Sequence, residues 1–424
     1  MNTALSISKA ARLWAKIGIL SFGGPAAQIA LMHREVVDQR NWLSEKQFLN
    51  ALSFCMLLPG PEAMQLATYM GWRLHGVIGG LIAGLMFVIP GAVVILALAG
   101  AYAVWGALPL AAAVFLGIKA TVIVIVIEAL LRVSKRALKR PGHWVVAVLA
   151  FGAIFFLNLP YPLIVVAAGI WGAFSQKTVP NDGQVHRLHP LKSTGKTMLI
   201  WLVVWWLPVF IVGPVLGQEF LAEIALFFSK LAVVTFGGAY AVLAYMGQEV
   251  VAVKGWLDAG QMMDGLGLAE TTPGPLILVT EFVGFLAGFM QGGWGMALAA
   301  TALTLWVTFT PCFLWIFVGA PYIDWIGAQP RLHGGLAAIT AAVVGVILNL
   351  SVWFALHVFF DRVTPVKAGI FTLWTPDLTT LNPIVVVLTI LAAVLLLMRH
   401  WNVVWVLFLS GGVAMLAYMA GIAT

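Results

Sequence analysis

The sequence predicts an all-α polytopic membrane protein of two homologous halves in opposite orientation, with about 13 membrane segments that include broken or re-entrant helices. Three observations carry this. Hydrophobic residues make up 62% of the 424-residue chain and charged residues 9%, too few charges to clothe a soluble domain of this length. Apolar runs near the roughly 20 residues needed to span a bilayer core recur along the chain, and the mean hydropathy is +1.01. An unusual phrase is written twice: KIGILSFGGPAAQIALM at 16–32 and KLAVVTFGGAYAVLAYM at 230–246. A transmembrane β-barrel is excluded, because its strands would alternate apolar and polar residues.

The repeat extends well beyond that phrase. Residues 16–61 align with 230–275 without a gap, and 17 of 46 positions are identical. They include Lys16/Lys230, Phe22/Phe236, Glu35/Glu249, Trp42/Trp256, Gln47/Gln261 and a shared Pro-Gly-Pro at 59–61 and 273–275. Farther on, Pro90 meets Pro311 and Pro109 meets Pro330. Similar hydropathy does not produce a gapless Trp-Leu-x3-Gln followed by Pro-Gly-Pro, so the repeat reads as a gene duplication.

Each half opens with two broken segments. They are 10–38, interrupted at Gly23-Gly24-Pro25, and 45–73, interrupted at Pro59-Gly60-Pro61; the second half repeats them near 224–252 and 259–288. Spanning candidates are 76–104, 107–131, 143–158, 161–174, 197–217, 292–319, 331–355, 381–398 and 402–422. Ser44 with Gln47, and Asp258 with Gln261, form capping boxes that fix where the second broken segment of each half begins. Residues 1–15 lack the apolar core of a cleavable signal, so insertion is expected through the chain's own helices. Cys55 and Cys312 both lie in apolar stretches and read as buried thiols.

Basic residues set the orientation. Loop 132–143 carries Arg132, Lys135, Arg136, Lys139 and Arg140 without an acid, and loop 175–196 carries Lys177, Arg187, Lys192 and Lys196 against Asp182. Both are expected to be cytoplasmic. Segment 197–217 then crosses once more, so the second half starts on the far side, near Glu219 and Glu223. The expected organisation is an N-terminal repeat over 1–174, a basic cytoplasmic linker with an orientation-switching helix over 175–218, and an inverted repeat over 219–424. The N-terminus is then cytoplasmic and the C-terminus external. Two loops hold the surplus of the +7 net charge, so no nucleic-acid partner is implied; the lipid bilayer is the expected partner.

Inverted repeats with broken helices are the layout of secondary transporters. A helix break at membrane depth is tolerated only against protein or a watery cavity. The half-helix after each break starts with free N–H groups and a partial positive charge, which suits an anion. This makes Phe22, Gly23, Gly24, Pro25, Gly60, Pro61, Gly237, Gly238, Gly274 and Pro275 the candidate anion-binding positions. Gln28 and Gln65, one turn past their breaks, are either ligand donors or helix–helix hydrogen-bonding groups. Lys16, Lys230 and Lys119 are intramembrane cations, each with a snorkelling alternative near an interface. Glu62, in the first turn after Pro-Gly-Pro, and Glu270 are coupling candidates, with Glu128 secondary; Glu281 is a further intramembrane carboxylate. No Walker loop, metal-ligand spacing or nucleophile motif is legible, so neither cofactor nor enzymatic activity is expected.

SFGGPAAQIALMHREVVDQRNWLSEKQF, LPGPEAMQLATYMGW, FVIPG, TFGGAYAVLAYMGQEVV and AETTPGPLILVTEFVGF resemble the chromate ion transporter family, long-chain two-domain type, over nearly the whole chain. Ala239 stands where the first FGG phrase has Pro25. The resemblance implies a bacterial inner-membrane protein that exports chromate, a tetrahedral dianion similar to sulfate, on the membrane potential or proton gradient and confers chromate resistance. A sulfate or other oxyanion permease and a passive anion channel are the alternatives, and a homodimer is an open possibility.

Overall fold

A computed structural model describes residues 6–175, 191–213, 215–236, 238–327 and 329–422. In chain order the helices are α1 (Ile7–Leu20), α2 (Gly24–His33), α3 (Glu45–Cys55), α4 (Glu62–Trp105), α5 (Pro109–Ala137), α6 (Pro141–Phe155), α7 (Tyr161–Ser175), α8 (Leu191–Val212), α9 (Glu219–Val234), α10 (Ala239–Met246), α11 (Ala259–Glu270), α12 (Val279–Gly319), α13 (Ile323–Gly327) and α14 (Pro330–Phe359). A β-hairpin follows, β1 (Val363–Ala368) and β2 (Phe371–Pro376), and then α15 (Pro383–Ala393) and α16 (Val403–Met419). Part of the basic linker, 176–190, lies outside the described residues, as does Gly237.

Five described helical stretches are long and apolar enough to cross a membrane: 62–105, 109–137, 194–212, 276–322 and 330–359. Large apolar side chains face outward along them and along their shorter neighbours, among them Val148, Leu149, Phe210 and Phe408, each more than 60% exposed. A surface of that kind is stable against lipid, not water. The chain is an integral membrane protein.

The duplication is written into the backbone. Both expected capping boxes form: Gln47 N–H donates to Ser44 Oγ at 3.3 Å and Gln261 N–H to Asp258 Oδ1 at 2.7 Å, and each glutamine Oε1 accepts from the cap N–H at 3.0 Å. Each FGG helix continues into a π-helical turn, 34–38 and 247–253. Two long helices bend with one shared geometry, at His75 (φ −140°, ψ 26°) and Gly76 (φ 64°, ψ −155°) in α4, and at Gly292 (φ −159°, ψ 26°) and Gly293 (φ 68°, ψ −157°) in α12. Both bends reverse the chain. A Cβ on Gly71 would lie 2.3 Å from the Gly79 carbonyl oxygen, whereas eight residues of straight helix separate two groups by about 12 Å. α4 and α12 are therefore hairpins of two arms, as the break between the expected segments 45–73 and 76–104 requires.

The broken segments of the first half are hairpins too. Lys16 on α1 touches Glu35 at 2.7 Å, although 19 residues of continuous helix would span about 28 Å. The Phe54 ring on α3 lies 6.2 Å from that of Tyr69 on the first arm of α4, again far closer than collinear half-helices allow. α1 and α3 are 14 and 11 residues long, or about 21 and 16 Å, short of the roughly 30 Å hydrocarbon core.

Contacts divide the chain into two compact units: 1–99 with 177–239 and 272–333, and 100–176 with 240–271 and 334–424. In the first, α12 packs on α8 and α9. In the second, α5 is central and packs on α11, α15 and α16. Small residues permit the closest approach there: a Cβ on Gly117 of α5 would sit 2.1 Å from the Ser410 carbonyl oxygen of α16. The β-hairpin departs from an all-helical reading. It belongs to the second unit and docks on the α6–α7 connection, where Thr372 N–H donates to the Phe156 carbonyl at 2.8 Å and Asn158 Nδ2 donates to Thr372 Oγ1 at 2.7 Å. Both cysteines are free and buried.

Candidate functional site

In the first unit the breaks become hairpin tips, and the tips meet in pairs. Gly274 N–H donates to the Ser21 carbonyl at 2.9 Å, and Gly60 N–H donates to the Thr235 carbonyl at 2.8 Å. Gly60 is the repeat partner of Gly274, and Ser21 that of Thr235. The two bonds are one interaction made reciprocally, the signature of a two-fold relation between repeats. Each Pro-Gly-Pro tip thus holds the FGG tip of the other half. Gly60 (φ 115°) and Gly274 (φ 88°) adopt conformations that side chains rarely tolerate. Gly91 completes the seat, since a Cβ there would lie 2.2 Å from the Pro273 carbonyl oxygen.

The two glutamines fasten this arrangement. Gln28 Nε2 donates to the Gly274 carbonyl at 2.7 Å and to the Ser21 carbonyl at 3.2 Å. Gln65 Nε2 donates to the Pro59 carbonyl at 2.6 Å. Both side chains are buried, so their amide donors serve the tips. The FGG tip of the first half is open: Phe22, Gly23, Ala26 and Ala27 are exposed, and the α2 N-terminus carries no side-chain cap. Pro25 stands in its first turn, where a missing N–H costs nothing. The opposite tip is less open, with Phe236 and Gly238 half-buried. Gly60, Pro61, Gly274 and Pro275 are buried beneath. An uncapped, accessible helix start of this kind presents N–H groups and a partial positive charge.

Charged candidates fall in several places. Lys16, half exposed, pairs with the buried Glu35, which Arg40 also engages. Lys230 is exposed on α9, and Glu62 is half-buried in the first turn of α4. In the second unit Lys119 of α5 lies 3.3 Å from Asp264 of α11, and Tyr102 Oη donates to Asp264 Oδ2 at 2.8 Å. Glu270 is buried and accepts from Tyr240 Oη at 2.8 Å, while Glu128 pairs with Arg132 one helical turn on. Sequence reasoning missed Glu35 as the lysine partner, and missed Asp264, Tyr102 and Tyr240. The signal for Glu35 lay in the repeat, where it is identical with Glu249. For Asp264 the signal is an acid inside an otherwise apolar stretch, where the first half has Asn50.

Charges and helix breaks set among lipid-facing apolar helices define an integral membrane transport protein. Comparison with known proteins is more specific. The profile of the family described as chromate transporter matches residues 8–173 and 222–416, one block per half. The chain belongs to the chromate transporter family. It is 32% identical over 400 residues to the chromate transport protein of Pseudomonas aeruginosa, covering 89% of this chain and 88% of that one. It is 29% identical over 399 residues to a probable chromate transport protein of Synechococcus elongatus, covering 93% and 97%. An uncharacterised transporter of Bacillus subtilis is 31% identical over 169 residues, covering 38% of this chain and 84% of its own, a relative about the length of one half. No solved structure matches.

Proposed function

We propose that the protein is a secondary transporter that exports chromate across the bacterial inner membrane and confers chromate resistance. The observation that carries this reading is the reciprocal tip pairing, which fixes an uncapped helix N-terminus at an open break inside a membrane protein. Chromate brings two charges and four acceptor oxygens. The N–H groups after Gly23 and those after Gly238, with Lys16 and Lys230, supply donors and charge to match. Relatives named chromate transport proteins support the choice of oxyanion.

The same reading gives the halves inverted topology, with 13 segments counted through the hairpins, a cytoplasmic N-terminus and an external C-terminus. Moving two negative charges outward is favoured by an inside-negative potential by about 2.3 kcal/mol per charge per 100 mV. The potential therefore suffices as a driving force, and Glu62 or Glu270 adds a proton if the gradient contributes. Everted vesicles containing the protein are expected to accumulate chromate against its gradient, with uptake collapsing when the potential is dissipated. Equilibration without uphill accumulation would make the protein a channel. Uptake of sulfate in preference to chromate would make it a sulfate permease.

A further inference from the structure

The two arms of α12 carry buried oxygens that none of the roles above uses. Their register follows from the bend at Gly292–Gly293. A Cβ on Gly288 would meet Ala300 Cβ at 2.9 Å, and one on Gly284 would meet Thr304 Oγ1 at 2.4 Å. One turn farther from the bend, the stripe that runs through Gly288 and Gly284 reaches Glu281, and the facing stripe runs from Thr304 to Thr308. Helical side chains lean toward the N-terminus of their own helix, so Glu281 leans toward Thr308 and the residues just beyond it.

Glu281 is 1% exposed, Thr304 0% and Thr308 1%. Both carboxylate oxygens of Glu281 and both threonine hydroxyls lack hydrogen-bond partners among the described residues. Thr301 one turn earlier bonds its own helix carbonyl at 2.8 Å, so the free hydroxyls of Thr304 and Thr308 are not the rule in this helix. Pro311 has no N–H, which leaves the Val307 carbonyl without its helical donor beside Thr308. Among the described residues no lysine, arginine or histidine forms an ion pair with Glu281. Four orphaned oxygens, two of them those of a bare carboxylate, are costly in an apolar interior unless a positive ligand completes them.

We propose that Glu281, Thr308, Thr304 and the Val307 carbonyl form a binding site for sodium ion. The donor set is all oxygen, which selects a hard cation. It holds a single carboxylate, whose charge one monovalent ion balances; no group of three His, Cys, Asp or Glu residues suited to a metal occurs among the described residues. Glu281 stands in the first turn of α12, the half-helix that follows Pro273-Gly274-Pro275, where the helix dipole favours a carboxylate. Aligned on the two bends, Glu281 corresponds to Met64, so only the second half carries the site. As the coupling ion of the transport cycle the sodium rests on the reading of the protein as a secondary transporter; as a bound ion it does not.

The test reads binding without transport. Thermal unfolding of the purified full chain is followed in NaCl and in KCl at equal ionic strength, for the wild type, Glu281→Gln and Thr308→Val. Sodium is expected to raise the wild-type midpoint above that in potassium. Glu281→Gln is expected to abolish the difference, and Thr308→Val to shift the sodium needed for half the effect about tenfold upward. Equal midpoints in the two salts for the wild type, or a sodium shift that persists in both variants, would overturn the proposal. If Glu281→Gln does not fold, Thr308→Val decides alone. A sodium shift in a protein that moves no chromate would sink the transport reading and leave the site standing.

Discussion

The informative residues are those whose charges are already spent. Asp264 is 4% exposed and is held by Lys119 and Tyr102. Removing one partner of a buried ion pair strands the other and costs about 3 kcal/mol or more. Asp264→Asn and Lys119→Met are each expected to lower stability by that order, measured by thermal unfolding in detergent. The double variant is expected to recover most of the loss, because the two energies are coupled; simple additivity would show that the pair is not a unit. Lys16 differs, since its side chain is 50% exposed and Arg40 still serves Glu35 without it. Lys16→Met is expected to cost about 1 kcal/mol of stability or less. If the lysines touch the oxyanion, Lys16→Met and Lys230→Met each lower chromate uptake about tenfold or more, the loss of one charge-assisted contact. Unchanged uptake with both replaced would leave the lysines as interface groups.

At the scale of elements, the tips and bends decide the outcome. Gly91→Ala places a methyl against the Pro273 backbone, which cannot rotate away as a side chain can. It is expected to displace the Pro-Gly-Pro tip and abolish uptake, whereas Gly152→Ala, where an added Cβ meets nothing, leaves it intact. At the foot of the β-hairpin, the Thr379 hydroxyl donates to Asp377 at 2.6 Å and its N–H at 3.1 Å, holding this exposed carboxyl below its ordinary value. A depressed carboxyl stabilises its turn above the ordinary range and loses that contribution as pH falls. The protection of the Thr379 N–H, its exchange rate relative to an unstructured amide at the same pH, is thus expected to fall on acidification. Much at this scale was legible: the breaks, both capping boxes and the paired start of each half follow from Pro-Gly-Pro, Phe-Gly-Gly and Ser or Asp three residues before Gln. The β-hairpin was not read, because Pro365 and Pro376 obscured the β-branched residues on either side of Gly369. The tip pairing was illegible for a deeper reason. Its bonds join backbone to backbone across more than 170 residues, and backbone groups carry no residue code. Only the positions of the glycines that permit the approach are written.

At the scale of the whole molecule, one duplication gives two sets of hairpins whose tips hold one another, and divergence assigns them different work. Glu270 stands opposite Met56 and Asp264 opposite Asn50, so these two buried acids have no acidic counterpart in the first half. The reciprocal hydrogen bonds fit any two-fold axis. An odd number of crossings before the second half, as the proposed topology has it, would lay that axis in the membrane plane. The most direct test is to tag each end of the full chain and measure tag accessibility in intact cells and in permeabilised ones. The N-terminal tag is expected to be shielded until the membrane is opened and the C-terminal tag to be reachable from outside. Both tags on one face would contradict inversion, and with it the opposed tips as the place where an anion is passed across the bilayer.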